Sequence, residues 1–122
     1  MTTVKEVAEM LGVSVRTLQY YDRVGLLKPA RSKAGYRLYS EQDIQKLQQI
    51  LSYRDMEFSL SEIEMLISDG LSQEERGEMF KAQYHKLIAK RDRLDEQISL
   101  LQGLVVHYEF GGKDGIDPDA TS

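Results

Sequence analysis

The chain has 122 residues with 16 Lys and Arg against 20 Asp and Glu, a net charge of −4, and this length allows one small domain plus an extension. It contains no cysteine, which excludes disulfides, thiolate metal sites and cysteine nucleophiles, and His85 and His107 lie too far apart to share one helical turn. We therefore expect no enzyme, no catalytic or metal site and no cofactor. No apolar run reaches the roughly 20 residues of a membrane span and the first ten residues lack a signal-peptide pattern, so we expect a soluble cytoplasmic protein without a membrane partner.

The charge is distributed unevenly along the chain. Residues 14–40 hold six basic side chains and one acidic side chain, a net charge of +5, whereas residues 59–122 hold seven basic and 13 acidic ones, a net charge of −6. A short positive segment in an acidic protein is compatible with a nucleic-acid partner, because local charge matters more than the total.

The first predicted helix runs from about Thr3 to Leu11. Thr3 and Glu6 have the spacing of a capping box, in which each side chain accepts a hydrogen bond from the other's backbone N–H. Gly12 follows at the position where a left-handed residue ends a helix. A tight turn is therefore expected after Leu11.

The second predicted helix starts after Ser14, a good N-cap, and ends near Gly25. Its apolar side includes Tyr21, which we assign to the core. The opposite side has polar and aromatic residues at helical spacing, namely Arg16, Gln19, Tyr20 and Arg23. Two short helices joined by a glycine turn indicate a helix-turn-helix, and such a face suits contacts to phosphates and base edges.

The segment 26–39 predicts a small β-hairpin, or wing, because a polar run containing Gly35 is followed by alternating residues. Ser40 then caps a third helix that ends near Arg54. A second capping box at Ser59 begins a short fourth helix, which we expect to stop at Gly70.

The last predicted helix, from about Gln73 to Glu109, has a heptad pattern. Its seam consists of Phe80, Tyr84, Leu87, Arg91, Leu94, Ile98, Leu101, Val105 and Tyr108. A helix of this length extends roughly 55 Å at ~1.5 Å per residue, too far to pack on a small domain, so we predict dimerisation through a coiled coil. The heptads alone do not give the direction of pairing. The predicted organisation is a DNA-binding domain at 1–70, a dimerisation helix at 71–110 and a linker or disordered tail at 111–122.

The order of these elements and the sequence motifs within them resemble those of the MerR family of transcription regulators. The resemblance rests on Val7-Ala8, Gly12-Val13-Ser14, Arg16-Thr17-Leu18, Tyr20-Tyr21-Asp22, Gly25-Leu26-Leu27, Pro29, Gly35-Tyr36-Arg37-Leu38-Tyr39, Asp43-Ile44, Leu47 and Leu51. It covers about 70 residues by motif and the remainder by architecture. It implies a mainly α fold, a winged helix-turn-helix with a small β wing and a long C-terminal dimerisation helix.

The resemblance also implies a function. Members of the family are homodimers held by an antiparallel coiled coil, which bind a palindromic operator in double-stranded promoter DNA and bend and untwist it so that RNA polymerase meets realigned promoter elements. The expected DNA-contacting residues are Ser14, Arg16, Thr17, Gln19, Tyr20, Arg23, Lys33, Tyr36, Arg37 and Tyr39. The resemblance favours Arg16, Thr17 and Tyr20 over Gln19 in the helix, and assigns Tyr36 and Arg37 to phosphate contacts.

The trigger of such a regulator is not evident in this sequence. Members that sense metals or redox state use cysteines, which are absent here. Members that sense organic compounds carry a further C-terminal domain, for which 122 residues leave no room. We therefore expect a small organic effector to bind a domain absent from this chain; the alternative is a short regulator with an unrecognised trigger.

Two other functions remain open from the sequence. The chain would be a coiled-coil adaptor if its winged domain bound protein, and it would then show no salt-dependent DNA affinity. It would be a DNA-bending protein of excision or chromosome organisation if it bound cooperatively along DNA, although a symmetric dimer fits two half-sites better.

Overall fold

A computed structural model describes residues 1–111 of the chain. The predicted tail therefore lies, beyond Gly111, outside the described residues. In chain order the elements are β1 (Thr2–Thr3), α1 (Val4–Leu11), α2 (Val15–Arg23), β2 (Ala30–Arg31), β3 (Arg37–Tyr39), α3 (Glu41–Asp55), α4 (Leu60–Ile67), α5 (Gln73–Val106) and a π-helical turn (His107–Gly111). The fold is mainly α with one small sheet, as the sequence predicts.

The helix starts are set by short polar side chains. Thr3 and Ser59 cap α1 and α4 in reciprocal capping boxes, which confirms both sequence predictions. Ser40 forms the same arrangement with Asp43 at α3. These bonds satisfy backbone N–H groups that the first helical turn leaves without a partner.

The turn between α1 and α2 depends on Gly12. This residue has φ 69° and ψ 34°, the left-handed conformation that glycine adopts at little cost. The N–H of Val13 then donates to the carbonyl of Ala8 at 3.0 Å, which closes the end of α1. Only three residues separate α1 from α2, as expected for a helix-turn-helix.

The wing is an antiparallel sheet of order β1-β3-β2. Thr3 pairs with Leu38 on one side of β3, and Ala30 pairs with the same residue on the other side. The sequence predicts the β2–β3 hairpin but not β1, because a two-residue strand has no alternating pattern to recognise. β1 ties the start of α1 to the wing.

The core of residues 1–76 lies where the helices and the sheet meet. Its fully buried side chains are Val7, Leu18, Tyr39, Leu47, Ile50 and Leu66. Burial of each of the five aliphatic side chains among them contributes roughly 1.5–3 kcal/mol. Helix α3 packs against both α4 and β3, so the core connects the wing to the helices.

The chain divides into two compact units, and the first of them ends at Arg76. The guanidinium of Arg76 donates to the carbonyl of Leu66 at 2.6 Å and thereby ties the first turn of α5 to α4. Gly70 does not end α4, so that prediction is wrong. Ser68 ends it instead, with its hydroxyl donating to the carbonyl of Met65 at 2.7 Å.

The second unit, described from Gly77 to Gly111, is the rest of α5 followed by the π-helical turn. α-Helical hydrogen bonding stops at Val106, three residues before the predicted end. Over residues 1–111, no helix has the length and apolar character that crossing a membrane requires.

Candidate nucleic-acid interface

One face of α2 is solvent-exposed and basic, as the helical spacing predicts. Arg16, Gln19, Tyr20 and Arg23 are all exposed on it, and we call these four residues the α2 face. The opposite side of α2 is fixed in the core by Leu18 and Tyr21. The α2 face is therefore held rigidly toward solvent.

The two arginines of the α2 face are not neutralised. Within the described part of the chain, neither Arg16 nor Arg23 forms an ion pair with a carboxylate. The guanidinium carbon of Arg23 lies 5.6 Å from the centre of the Tyr20 ring, a cation–π contact that orders both side chains. Both guanidinium groups keep N–H donors for an anionic partner.

Ser14 and Thr17 are engaged in starting the helix. The Ser14 hydroxyl accepts a hydrogen bond from the Thr17 N–H at 3.1 Å, and the two hydroxyls lie 2.9 Å apart. The resemblance gives both as expected DNA contacts. Their observed contacts give them a structural role that holds the first turn of α2 in place.

Three cations surround Asp22, and we call these four residues the Asp22 cluster. Arg37 Nε donates to Asp22 Oδ2 at 2.6 Å, and Arg31 Nη2 donates to the same oxygen at 3.0 Å. Lys28 Nζ lies 3.9 Å from Oδ1. Because Asp22 is on α2 while Arg31 and Arg37 are on the paired strands β2 and β3, the cluster fixes the wing to the helix.

The side chain of Asp22 is 10% exposed. Burial raises the pKa of this carboxyl, but the hydrogen bond from Arg37 and the charges of Arg37, Arg31 and Lys28 outweigh burial and hold the pKa below its ordinary value of 3.8. Asp22 is therefore ionised at neutral pH. The cluster then keeps an excess of positive charge on the wing side.

The wing presents Lys33 and Tyr36 at its turn. Both side chains are exposed, Tyr36 to 71%. The turn is closed by a hydrogen bond from the Ser32 N–H to the Tyr36 carbonyl at 2.8 Å, and Arg31 Nη1 donates to the Gly35 carbonyl at 3.0 Å. Both predicted residues are accessible to a partner.

Tyr39 is a correction to the predicted site. Its side chain is 1% exposed, and its hydroxyl is enclosed without a hydrogen-bond partner in residues 1–111. Burial raises the pKa of this phenol. The predicted DNA contact is contradicted, because β3 points Tyr39 into the core beside the helices.

Arg37 also differs from its predicted role. The prediction makes it a phosphate contact, whereas its Nε is occupied by Asp22 and its side chain is only 22% exposed. The sequence places Asp22 in the Tyr20-Tyr21-Asp22 motif but does not predict its contacts with the arginines of the wing. The signal was present: Asp22 is the one acid in the basic segment 14–40 and directly follows a core tyrosine.

The predicted dimerisation residues lie along α5, and the structure describes one chain. Seven of the nine seam residues are large apolar or aromatic side chains exposed to solvent: Phe80, Tyr84, Leu94, Ile98, Leu101, Val105 and Tyr108. Leu87 is half-buried, and Arg91 is exposed beside Asp92 at 3.3 Å. No cluster of three potential metal ligands occurs within residues 1–111.

Comparison with known proteins gives two family models. One, described as "MerR HTH family regulatory protein", matches residues 2–69. The second, described as "MerR, DNA binding", matches residues 44–106. Together they extend from β1 to the end of α5.

Curated relatives are transcription regulators rather than enzymes. The HTH-type transcriptional activator mta of Bacillus subtilis is 42% identical over 88% of this chain and 42% of its own length. An uncharacterized HTH-type transcriptional regulator of Synechocystis sp. is 36% identical over 84% of this chain and 73% of its own length. The chain thus spans less than half of the first relative.

Solved structures show the same fold. The N-terminal part of the Bacillus subtilis multidrug transporter activator, MtaN, has a TM-score of 0.70 at 39% identity over 87% of this chain and 99% of that chain. HiNmlR, described as a MerR family regulator lacking the sensor domain and bound to promoter DNA, has a TM-score of 0.73 at 28% identity over 93% of this chain and 90% of that chain. On these matches, the chain belongs to the MerR family of helix-turn-helix transcription regulators.

Proposed function

We propose that the protein binds promoter DNA as a homodimer, with the α2 face in the major groove and the wing on the backbone. The observation that carries this proposal is the row of Arg16, Tyr20 and Arg23 on the helix after the turn. Guanidinium groups pair with guanine edges and phosphates, and the exposed amide of Gln19 suits adenine. The relative HiNmlR is described as bound to promoter DNA, which supports this assignment.

The dimer is proposed from α5. A heptad seam with exposed leucine, isoleucine and valine is unfavourable in water, and an antiparallel coiled coil with a second copy covers it. A two-fold dimer presents two α2 faces, so the operator is palindromic. Arg91 is the polar position within the seam, where it favours one register over others.

The regulatory step is proposed as a distortion of the bound DNA. Kinking and untwisting a duplex costs several kcal/mol, which two symmetric sets of phosphate contacts offset. The distorted operator then presents realigned promoter elements to RNA polymerase in the cytoplasm. An organic effector that binds a domain absent from this chain shifts the dimer toward the distorting conformation.

The proposal is tested by fluorescence anisotropy with a labelled duplex taken from upstream of the protein's own gene. We expect affinity above that for a scrambled duplex, and a fall of at least tenfold between about 50 and 200 mM salt. Arg16→Ala removes one charged contact. It should weaken specific binding and lower the slope of log affinity against log salt by about 1.

Arg93→Ala is the matched control, because Arg93 is an exposed arginine on α5 outside the proposed interface. It should leave the affinity and the salt slope unchanged. Salt-independent binding, or equal losses in the two variants, would contradict the proposal and favour a protein-binding adaptor.

A further inference from the structure

A cavity of about 490 Å³ lies on the first unit, between α2 and the turn that joins α3 to α4. It is lined by Arg16, Thr17, Tyr20, Tyr21, Arg23, Arg54, Phe58, Leu60 and Ile63. Its size falls in the range of small-molecule sites in proteins. We call it the α2 cavity.

The floor of the α2 cavity is apolar. Tyr21, Phe58 and Ile63 are core residues that line it. Phe58 is held by an edge-to-face contact with Tyr53, with ring centres 5.8 Å apart. A rigid aromatic floor of this kind suits a flat, apolar molecular body.

The rim of the α2 cavity is positive. Three of its lining residues are arginines, and none is acidic. Arg54 lies 3.7 Å from Asp55, but both side chains are solvent-exposed, so water screens this pair. Arg16 and Arg23 have no carboxylate partner in the described part of the chain. The cavity therefore has three cations available for a bound anion.

DNA alone does not account for this combination. A B-form duplex offers charged phosphates and polar groove edges, and it keeps the flat faces of its bases stacked inside. An apolar floor beneath three guanidinium groups instead matches a ligand that has both a flat apolar body and a negative group.

We propose that the α2 cavity binds a planar aromatic anion, such as an aromatic sulfonate or carboxylate. Arg16 and Arg23 belong to the α2 face, so the bound anion also competes with DNA; this second statement rests on the proposed function. Binding of the anion in the α2 cavity therefore inhibits DNA binding directly, without an additional domain.

The test is a titration of the whole chain, labelled at isoleucine methyl groups, with 1-naphthalenesulfonate observed by NMR. We expect a saturable shift of the Ile63 methyl signal and no shift of Ile98, which lies on α5. The uncharged 1-naphthalenemethanol should bind at least fivefold more weakly. No shift at Ile63, or equal affinity for the two compounds, would overturn the proposal.

Arg54→Gln tests the charged rim without changing the α2 face. We expect it to raise the dissociation constant of the sulfonate at least threefold, whereas Arg93→Gln leaves it unchanged. An unchanged constant in Arg54→Gln would contradict the assigned role of the rim.

Competition is measured separately, by adding the sulfonate to the anisotropy assay. A saturating concentration should weaken DNA binding in proportion to occupancy of the cavity. If the protein binds no DNA, the proposed function is wrong, but the NMR titration still tests whether the anion binds in the α2 cavity. If DNA binding persists unchanged at saturation, competition is overturned.

Discussion

Asp22 stabilises the contact between α2 and the wing, because its carboxylate accepts hydrogen bonds from Arg37 and Arg31 and lies near Lys28. Asp22→Asn keeps the size of the side chain but removes the charge. We expect a loss of about 1–3 kcal/mol in the free energy of unfolding, because hydrogen bonds to a charged group are replaced by weaker ones. Urea denaturation at pH 7 measures this loss in the free energy of unfolding.

The same variant gives a pH dependence with a defined sign. The pKa of Asp22 is lowered in the folded state, so its contribution is present at neutral pH and is lost as the pH falls through the folded pKa, below 3.8. The difference in stability between wild type and Asp22→Asn should therefore shrink in acid. Asp55→Asn, at an exposed residue, is the control and should change stability little at any pH.

Tyr39 has a buried hydroxyl without a partner in residues 1–111, which is unfavourable in a folded protein. Tyr39→Phe removes only that oxygen. We expect unfolding free energy to stay the same or rise by up to about 1 kcal/mol, and DNA affinity to stay unchanged. Thermal melting and anisotropy measure the two quantities; a loss of affinity with unchanged stability would restore Tyr39 as a DNA contact.

The sequence predicts the α2 face well. A nine-residue helix has enough turns for its period to distinguish an exposed position such as Arg16 from a buried one such as Leu18. It does not predict the environment of Tyr39, since a three-residue strand gives no reliable period. The sequence also does not predict the Asp22 cluster. Arg31 and Arg37 lie nine and 15 residues from Asp22 along the chain, and only the folded wing brings them together.

At the scale of elements, α1 and α3 are both followed by a residue in the left-handed conformation, but the residues differ. Gly12 is left-handed after α1, whereas Glu57 has φ 65° after α3. The N–H of Glu57 donates to the Arg54 carbonyl and that of Phe58 to the Tyr53 carbonyl, which closes α3 in a Schellman arrangement. A residue with a Cβ is strained in this conformation.

Glu57→Gly should therefore stabilise the protein by about 0.5–1 kcal/mol, because relief of the left-handed strain exceeds the added flexibility of the unfolded chain. Chemical denaturation measures the change. Gln48→Gly, at an exposed position inside α3, is the matched control and should destabilise by about 1 kcal/mol. Loss of stability in both variants would contradict the argument.

The starts of the helices are predictable because they depend on residues close together in the sequence. Capping side chains act on residues only three positions away, so Thr3 and Ser59 mark helix starts in the sequence alone. The strand β1 and the tie from Arg76 to Leu66 depend on partners distant in the chain. Local patterns contain no information on such partners.

For the whole molecule, the proposed dimer depends on the seam of α5. Ile98 is 60% exposed and Leu101 is 59% exposed in the single chain. The double variant Ile98→Glu, Leu101→Glu places charges in the proposed interface. We expect the dimer to dissociate at least 100-fold more readily in sedimentation equilibrium, because buried unpaired carboxylates are costly.

Gln97→Glu with Gln102→Glu adds the same charge beside the seam rather than in it, and it should leave the dimer intact. Equal masses for the seam variant and the wild-type protein would contradict a coiled coil through these residues. Both variants add two negative charges to α5, but only the seam variant places them in the seam and removes two apolar side chains from it.

The direction of the coiled coil is testable because the chain contains no cysteine. In a parallel dimer, Tyr108→Cys lies beside its own copy and forms a disulfide on oxidation. In an antiparallel dimer it lies near the other end of the seam, so Tyr108→Cys mixed with Phe80→Cys gives the cross-linked heterodimer. We expect the mixture alone to cross-link. A disulfide in Tyr108→Cys by itself would require a parallel pair, which would direct both DNA-binding units toward the same end of the coil.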